Sequence, residues 1–279
     1  LITADINTEK RAVDALVNAS YSLGTRVASM TLAPPLPFQG GLANPYMPDP
    51  VTAAAQNCDA WIDLCMPYIA GAAVYDTAMK NGRTRYFLAA DIGAAGVIFH
   101  PGSHGGRGYE AVLPQTVDAI KTVLDASPDG PCLAVENMAG MGQHIGAKFD
   151  ELGGILKAVD SPRLKICLDT QRAFAAGYDL TNPQGIKAML DELDAGPGSA
   201  NVAAVHANDS KRVCGSGVDR HDNIGDGFIG EEGFAAIMGD PAFAEVPFFL
   251  EVPGFEGKGP DQRNLDILKK IREQVGLSS

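Results

Sequence analysis

Eight short apolar runs recur along the chain, separated by longer segments with helical spacing, and this alternation restricts the fold more than any other feature. The runs are "LITA", "RVASMT", "WIDLCM", "AGVIFH", "CLAVE", "LKICLD", "NVAAVH" and "PFFLE". Their brevity and apolar character suit buried strands. Among the intervening segments, "TEKRAVDALVNASYSLG", "GIKAMLDELDAG" and "DQRNLDILKKIREQV" repeat apolar residues at three and four positions, the period of an amphipathic helix. Strands connected through helices run parallel. Eight such units in 279 residues predict an α/β protein, a closed (β/α)8 TIM barrel forming a single domain over residues 1–279. An open doubly wound sheet is the second choice, but no GxGxxG turn follows any strand.

One stretch breaks the rhythm. Residues 32–50, "LAPPLPFQGGLANPYMPDP", are too rich in Pro and Gly for a helix and predict a long loop after the second strand, on the face where such barrels carry their chemistry.

The last residues of the strands carry the strongest functional signal: Cys65, His100, Glu136, Asp169, His206 and Glu251. In a parallel barrel these positions ring one mouth, and each is a metal-ligand type where an apolar strand should simply stop. Any one of them is readily explained as a cap or a hydrogen-bonded core side chain. Six at the same end of six strands are not. Glu136, Asp169, His206 and Glu251 supply the roughly four N/O ligands that one divalent ion needs. His100 and Cys65 extend the set towards a second ion with Glu136 bridging, although a buried thiol is frequently inert. Two ions about 3.5 to 4 Å apart are able to clamp a phosphoryl group.

After the seventh strand comes "HANDSKRVCGSGVDRHDNIGDG", with very little apolar content. Asp219 and His221 are separated by one residue, so in extended backbone they point the same way and can chelate one ion. Arg220 between them faces elsewhere, towards a phosphate.

Charge and cysteine usage narrow the partners. Lys and Arg number 22 against 34 Asp and Glu, a net charge of 22 − 34 = −12, so there is no broad cationic face and any nucleic-acid contact must be local. Five cysteines with no CxxC pair read as reduced thiols of a cytoplasmic protein. No run of 18 apolar residues occurs, so no membrane span is expected.

"FHPGSH", "ENMAGMGQHIGAKFDEL", "CLDTQRAFAAGYDL", "HANDSKRVCGSGVDRHDNIGDGFIG" and "FFLEVPG", spanning residues 99–254, resemble the endonuclease IV family of apurinic/apyrimidinic endonucleases and follow its order. The resemblance implies a (β/α)8 barrel with three zinc ions that cleaves DNA 5′ to an abasic site. It assigns His100 and Glu136 to the first zinc; Glu136, Asp169, His206 and Glu251 to the second; Asp219 and His221 to the third. Three departures stand out. The histidine of the family's "LDTCHAFAAGYD" is Arg172 here, the first-zinc histidine aligns loosely with Cys65, and Asp5 replaces an early histidine. The loop at 32–50 also contains no basic residue, where family members place an arginine.

A guanidinium 4 Å from a dication is repelled by about 8 kcal/mol at an effective dielectric of 20. Arg172 and a third zinc therefore exclude each other, and Arg172 is expected in the third-ion position, paired with Asp219, while Asp169 remains a ligand. The expected function is that of a phosphodiesterase acting on damaged double-stranded DNA. Two zinc ions are expected rather than three, with manganese an alternative, and the protein is expected to be a monomer. Glu136, Glu251 and Arg172 are the expected catalytic groups; Arg220, Asn208 and Tyr68 are expected at the substrate. Two other readings remain: a single-metal sugar isomerase or epimerase built on Glu136, Asp169, His206 and Glu251, and a non-catalytic descendant that binds damaged DNA.

Overall fold

The computed structural model describes residues 29–31, 61–64, 95–125 and 129–276. "LITA", Asp5, the first helical segment, the loop at 32–50, Cys65 and Tyr68 lie outside the described residues. The described residues up to Gly102, with Leu113–Val135 and Ser161–Leu164, make one compact unit; Ser103–Val112, Glu136–Asp160 and the residues from Lys165 onward make a second.

In the first unit, β1 (Ser29–Thr31), β2 (Trp61–Leu64), β3 (Gly96–Phe99) and residues Cys132–Val135 of β4 (Cys132–Glu136) pair parallel in that order, with Met30 opposite Ile62, Ile62 opposite Val97, and Val97 opposite Leu133. β3 is buried throughout, which accounts for its uninterrupted apolar sequence. Helix α1 (Tyr109–Asp125) connects β3 to β4.

In the second unit, α2 (Phe149–Val159) precedes β5 (Leu164–Asp169), and α3 (Thr170–Ala176) follows β5 with no intervening loop. α4 (Pro183–Ala195) leads to β6 (Val202–His206), which pairs parallel with β5 and places Asp169 opposite His206. A short antiparallel pair, β7 (Asp209–Ser210) and β8 (His221–Asp222), is followed by α5 (Gly230–Met238). β9 (Phe248–Phe249) pairs parallel with β6, and α6 (Gln262–Gln274) closes the order.

Of the helical segments expected from periodicity, "GIKAMLDELDAG" forms α4 and "DQRNLDILKKIREQV" forms α6. α2 buries Phe149, Leu152, Ile155 and Val159 along one stripe, each worth about 1.5–3 kcal/mol of apolar burial. Asn182 caps α4 by accepting from Gly185 N, with Pro183 at the first position, where its missing N–H costs nothing. Asp261 caps α6 in the same way, accepting from Asn264 N. Seven of the eight expected strands are present among the described residues, "CLAVE" and "LKICLD" over their full length. "PFFLE" contributes only two paired residues, so Glu251 follows its strand by two positions. Among the described residues no helix is long and apolar enough to cross a membrane.

Candidate metal centre

Glu136, Asp169 and His206 end β4, β5 and β6 and are 0, 0 and 1% exposed. With Glu251 they form one cluster, in which a ligand atom from each residue lies within 4.8 Å of the others. His206 Nδ1 is 2.8 Å from Glu136 Oε1 and 3.3 Å from Glu251 Oε2. Residues opposite each other in a parallel pair leave the sheet on the same face, so the register of Asp169 with His206 suffices to aim both side chains together. Tetrahedral nitrogen and oxygen ligands at 2.1 Å from an ion stand roughly 3.4 Å apart. Three carboxylates and one imidazole at these separations therefore fit a zinc- or manganese-type ion with little adjustment.

Two of the candidate ligands, Asp169 and Glu251, are held from behind by amides. Asn208 Nδ2 donates to Asp169 Oδ2 at 2.9 Å and reaches Glu251 Oε2 at 3.4 Å, while Asn208 Oδ1 accepts from Glu251 N at 2.9 Å. The Asn208 backbone N–H donates to Thr170 Oγ1, which donates in turn to the Asn208 carbonyl at 2.7 Å. Asn137 Oδ1 accepts from Asp169 N at 2.7 Å, and its Nδ2 donates to Asp169 O at 3.1 Å. The sequence expectation puts Asn208 at the substrate. In the structure it is 0% exposed, with its side chain engaged on two candidate ligands, Asp169 and Glu251, as an orienting group would be.

The junction of β5 and α3 sets the rest of the geometry. Asp169 is both the last strand residue and the helix cap, accepting from Arg172 N at 2.8 Å through Oδ1 while Oδ2 faces Asn208. One helical turn later, Arg172 folds back over the cluster and is 6% exposed. Its Nε donates to Asp219 Oδ2 at 3.0 Å, its Nη1 pairs with Glu136 Oε1, and Nη1 lies 3.9 Å from Asp169 Oδ2. Burial disfavours the guanidinium charge, but Glu136, Asp169, Asp219 and Glu251 outweigh it and hold the Arg172 pKa well above its ordinary value. The pairing with Asp219 follows the expectation from sequence; the contact with Glu136 goes beyond it.

Asp219 and His221 project together, with His221 Nε2 3.3 Å from Asp219 Oδ1 and 3.7 Å from Asp169 Oδ2, separations of an ion pair rather than of an aligned hydrogen bond. Burial opposes ionisation of Asp219, yet His221 and Arg172 hold its carboxyl well below the usual carboxylate range. Burial likewise opposes the His221 charge, and the neighbouring Asp219 and Asp169 overcome it, raising the imidazole to about 9. Burial raises the Asp169 carboxyl against the pull of Arg172.

Besides Asn137, two further positioning residues lie outside the set expected from sequence. Asp209, also 0% exposed, accepts backbone N–H groups from Ser210 at 2.7 Å, Gly225 at 2.9 Å, Gly227 at 3.2 Å, Ile229 at 2.9 Å and Gly230 at 3.2 Å. It thereby folds the polar segment around itself and fixes the hairpin that carries Asp219 and His221. The glycine spacing of "GDGFIG" is the one signal for such an anion-holding nest. Gln171 donates through Nε2 to Val218 O at 2.9 Å, next to Asp219, and nothing in the sequence marks it. Arg220 is exposed, its Nη1 donating to Asp219 O at 2.7 Å. His100 follows β3 in the first unit.

Comparison with known proteins places this geometry in a family. A family model described as xylose isomerase-like TIM barrel matches residues 72–273. "Probable endonuclease 4" of Halothermothrix orenii is 36% identical over 198 residues, 71% of this chain and 71% of its own length. The protein of the same name in Streptomyces avermitilis is 39% identical over 205 residues, 72% of this chain, which spans only 66% of that relative's length. The crystal structure of endonuclease IV from Thermus thermophilus superposes with a TM-score of 0.73 at 28% identity, covering 98% of each chain. A parallel strand-and-helix order, ligand-type residues at successive strand ends and matches across most of the sequence lead to one assignment: this chain belongs to the endonuclease IV family of xylose isomerase-like TIM barrels.

Proposed function

We propose that the protein is a divalent-metal-dependent phosphodiesterase that cleaves the DNA backbone 5′ to abasic sites. The observation that carries this reading is the buried cluster of Glu136, Asp169, His206 and Glu251 with Asp219, His221 and Arg172 against it. Those four residues would hold an ion. When bound, it supplies Lewis-acid polarisation of a phosphoryl oxygen.

Charge favours two zinc ions over three. Glu136, Asp169, Asp219 and Glu251 contribute −4 and Arg172 returns +1, leaving −3 with both imidazoles neutral as ligands. Two dications bring the sum to −3 + 4 = +1; three would bring it to +3 around a buried guanidinium. With a neutral histidine in place of Arg172, three ions would give −4 + 6 = +2. Arg172 thus takes over part of one ion's charge, and its planar fork suits a phosphate oxygen. Arg220, exposed beside Asp219, supplies a second cation for the phosphate. Asn208 keeps Asp169 and Glu251 oriented.

Incision of an abasic duplex by the purified protein, lost on chelation and restored by zinc or manganese, tests the proposal; incision that survives exhaustive chelation contradicts it. The four-ligand cluster taken alone also suits a single-ion sugar isomerase. Proton exchange on ketoses with Mn2+ and no cleavage of DNA would select that reading instead.

A further inference from the structure

Cys167 lies two residues before Asp169 on β5 and is 0% exposed. Alternation along a strand sends its side chain to the same face as Asp169, one layer deeper. A second set of potential ligand atoms, from Glu136, Cys167 and His206, converges within 4.8 Å, sharing two members with the outer cluster. The residue paired with Cys167 is Ala204, whose side chain offers no competing ligand atom. Sulfur at 2.3 Å and nitrogen or oxygen at 2.1 Å from a tetrahedral ion stand about 3.6 Å apart, so small rotamer shifts would close the set.

We propose that Glu136, Cys167 and His206 form a second, inner station for a thiophilic divalent ion, adjoining the carboxylate-rich outer set. Hard and borderline ions take the outer position, which offers three carboxylates. A soft ion such as Cd2+ takes the inner one, because thiolate is the softest ligand in the cluster. The thiol gives up its proton to solvent as the metal–sulfur bond forms. Since Glu136 and His206 serve both stations, a soft ion bound inside withdraws two ligands from the outer site, and cadmium would act as a competitor of the resident ion. This inference rests on the ligand cluster and not on the nuclease reading, and its test measures no incision.

The probe is Cd2+ alone, added to the full chain. Anomalous scattering from soaked crystals is expected to place an ion at bonding distance from Cys167 Sγ. In solution, the thiolate-to-cadmium ultraviolet absorption is expected to be weaker in Cys167→Ser than in the parent by the contribution of one thiolate. Displacement of Mn2+ by Cd2+, followed by electron paramagnetic resonance, should require on the order of 100-fold more cadmium in that variant. An ion confined to Glu136, Asp169, His206 and Glu251, or equal absorption in the two proteins, overturns the proposal. Should Cys167→Ser fail to fold, the ion's position in crystals of the parent decides alone.

Discussion

In the proposed centre, replacing Arg172 by histidine removes the group that would most restrict how many ions are accepted. An ion bound 2.1 Å from Asp219 Oδ2 could lie no farther than roughly 5.1 Å from Arg172 Nε, because Nε is itself 3.0 Å from that oxygen. At that limit and an effective dielectric of 20, a dication and a guanidinium repel by about 6.5 kcal/mol. That is between four and five powers of ten in affinity, enough to keep the position empty at ordinary zinc concentrations. Arg172→His abolishes the repulsion and adds a nitrogen ligand beside Asp219 and His221. The expected outcome is a bound-metal count, by elemental analysis after dialysis against zinc, of two per chain in the parent and three in the variant, with faster incision. Without metal, the variant should be less stable by about 3–5 kcal/mol, since Glu136 and Asp219 lose a buried partner, and zinc should restore the loss. Three ions in the parent, or an unchanged count in a folded variant, would refute the charge argument.

Asn208→Ala should lower zinc affinity about 10- to 100-fold in a competition titration while the fold persists, because Asp169 and Glu251 lose their shared amide. Asp209→Asn should destabilise by about 3 kcal/mol or more and raise hydrogen exchange across residues 206–230, since five N–H groups share that carboxylate. Gly227→Ala is expected to cost about 1–3 kcal/mol in denaturant melts, its methyl falling against Asp209 Oδ1 and 2.6 Å from Ser210 O. Burial raises the Tyr109 and Tyr178 phenols to about 12 from an ordinary value of 10.0. The folded state therefore retains protons that the unfolded chain gives up, and the stability these two groups contribute, whole below pH 10, should fall between pH 10 and 12. Stability that stays flat across that window in Tyr109→Phe and the parent alike would count against the shift.

What the sequence reveals depends on whether a residue violates a local pattern. Glu136, Asp169 and His206 stand out because each ends an apolar run with a ligand type. Arg172 stands out only beside the family motif, and its partner Asp219 follows from electrostatics once the ion is excluded. Asn137, Gln171 and Asp209 violate nothing locally, since their partners are backbone groups up to tens of residues away, and only the folded chain brings donor and acceptor together. Asn208 is legible as polar at a strand exit, but not as an amide turned inward onto two ligands.

Because Asp169 ends one element and begins the next, no slack separates it from Arg172. A loop at that point would let evolution tune the distance between ligand and cation by insertion or deletion. Here any added residue would rotate the helix by about 100° and throw the guanidinium off the cluster entirely. Variation at this corner is thus confined to the identity of the side chain, and in the proposed centre a single codon would act as a digital selector between an extra ion and a built-in organic charge.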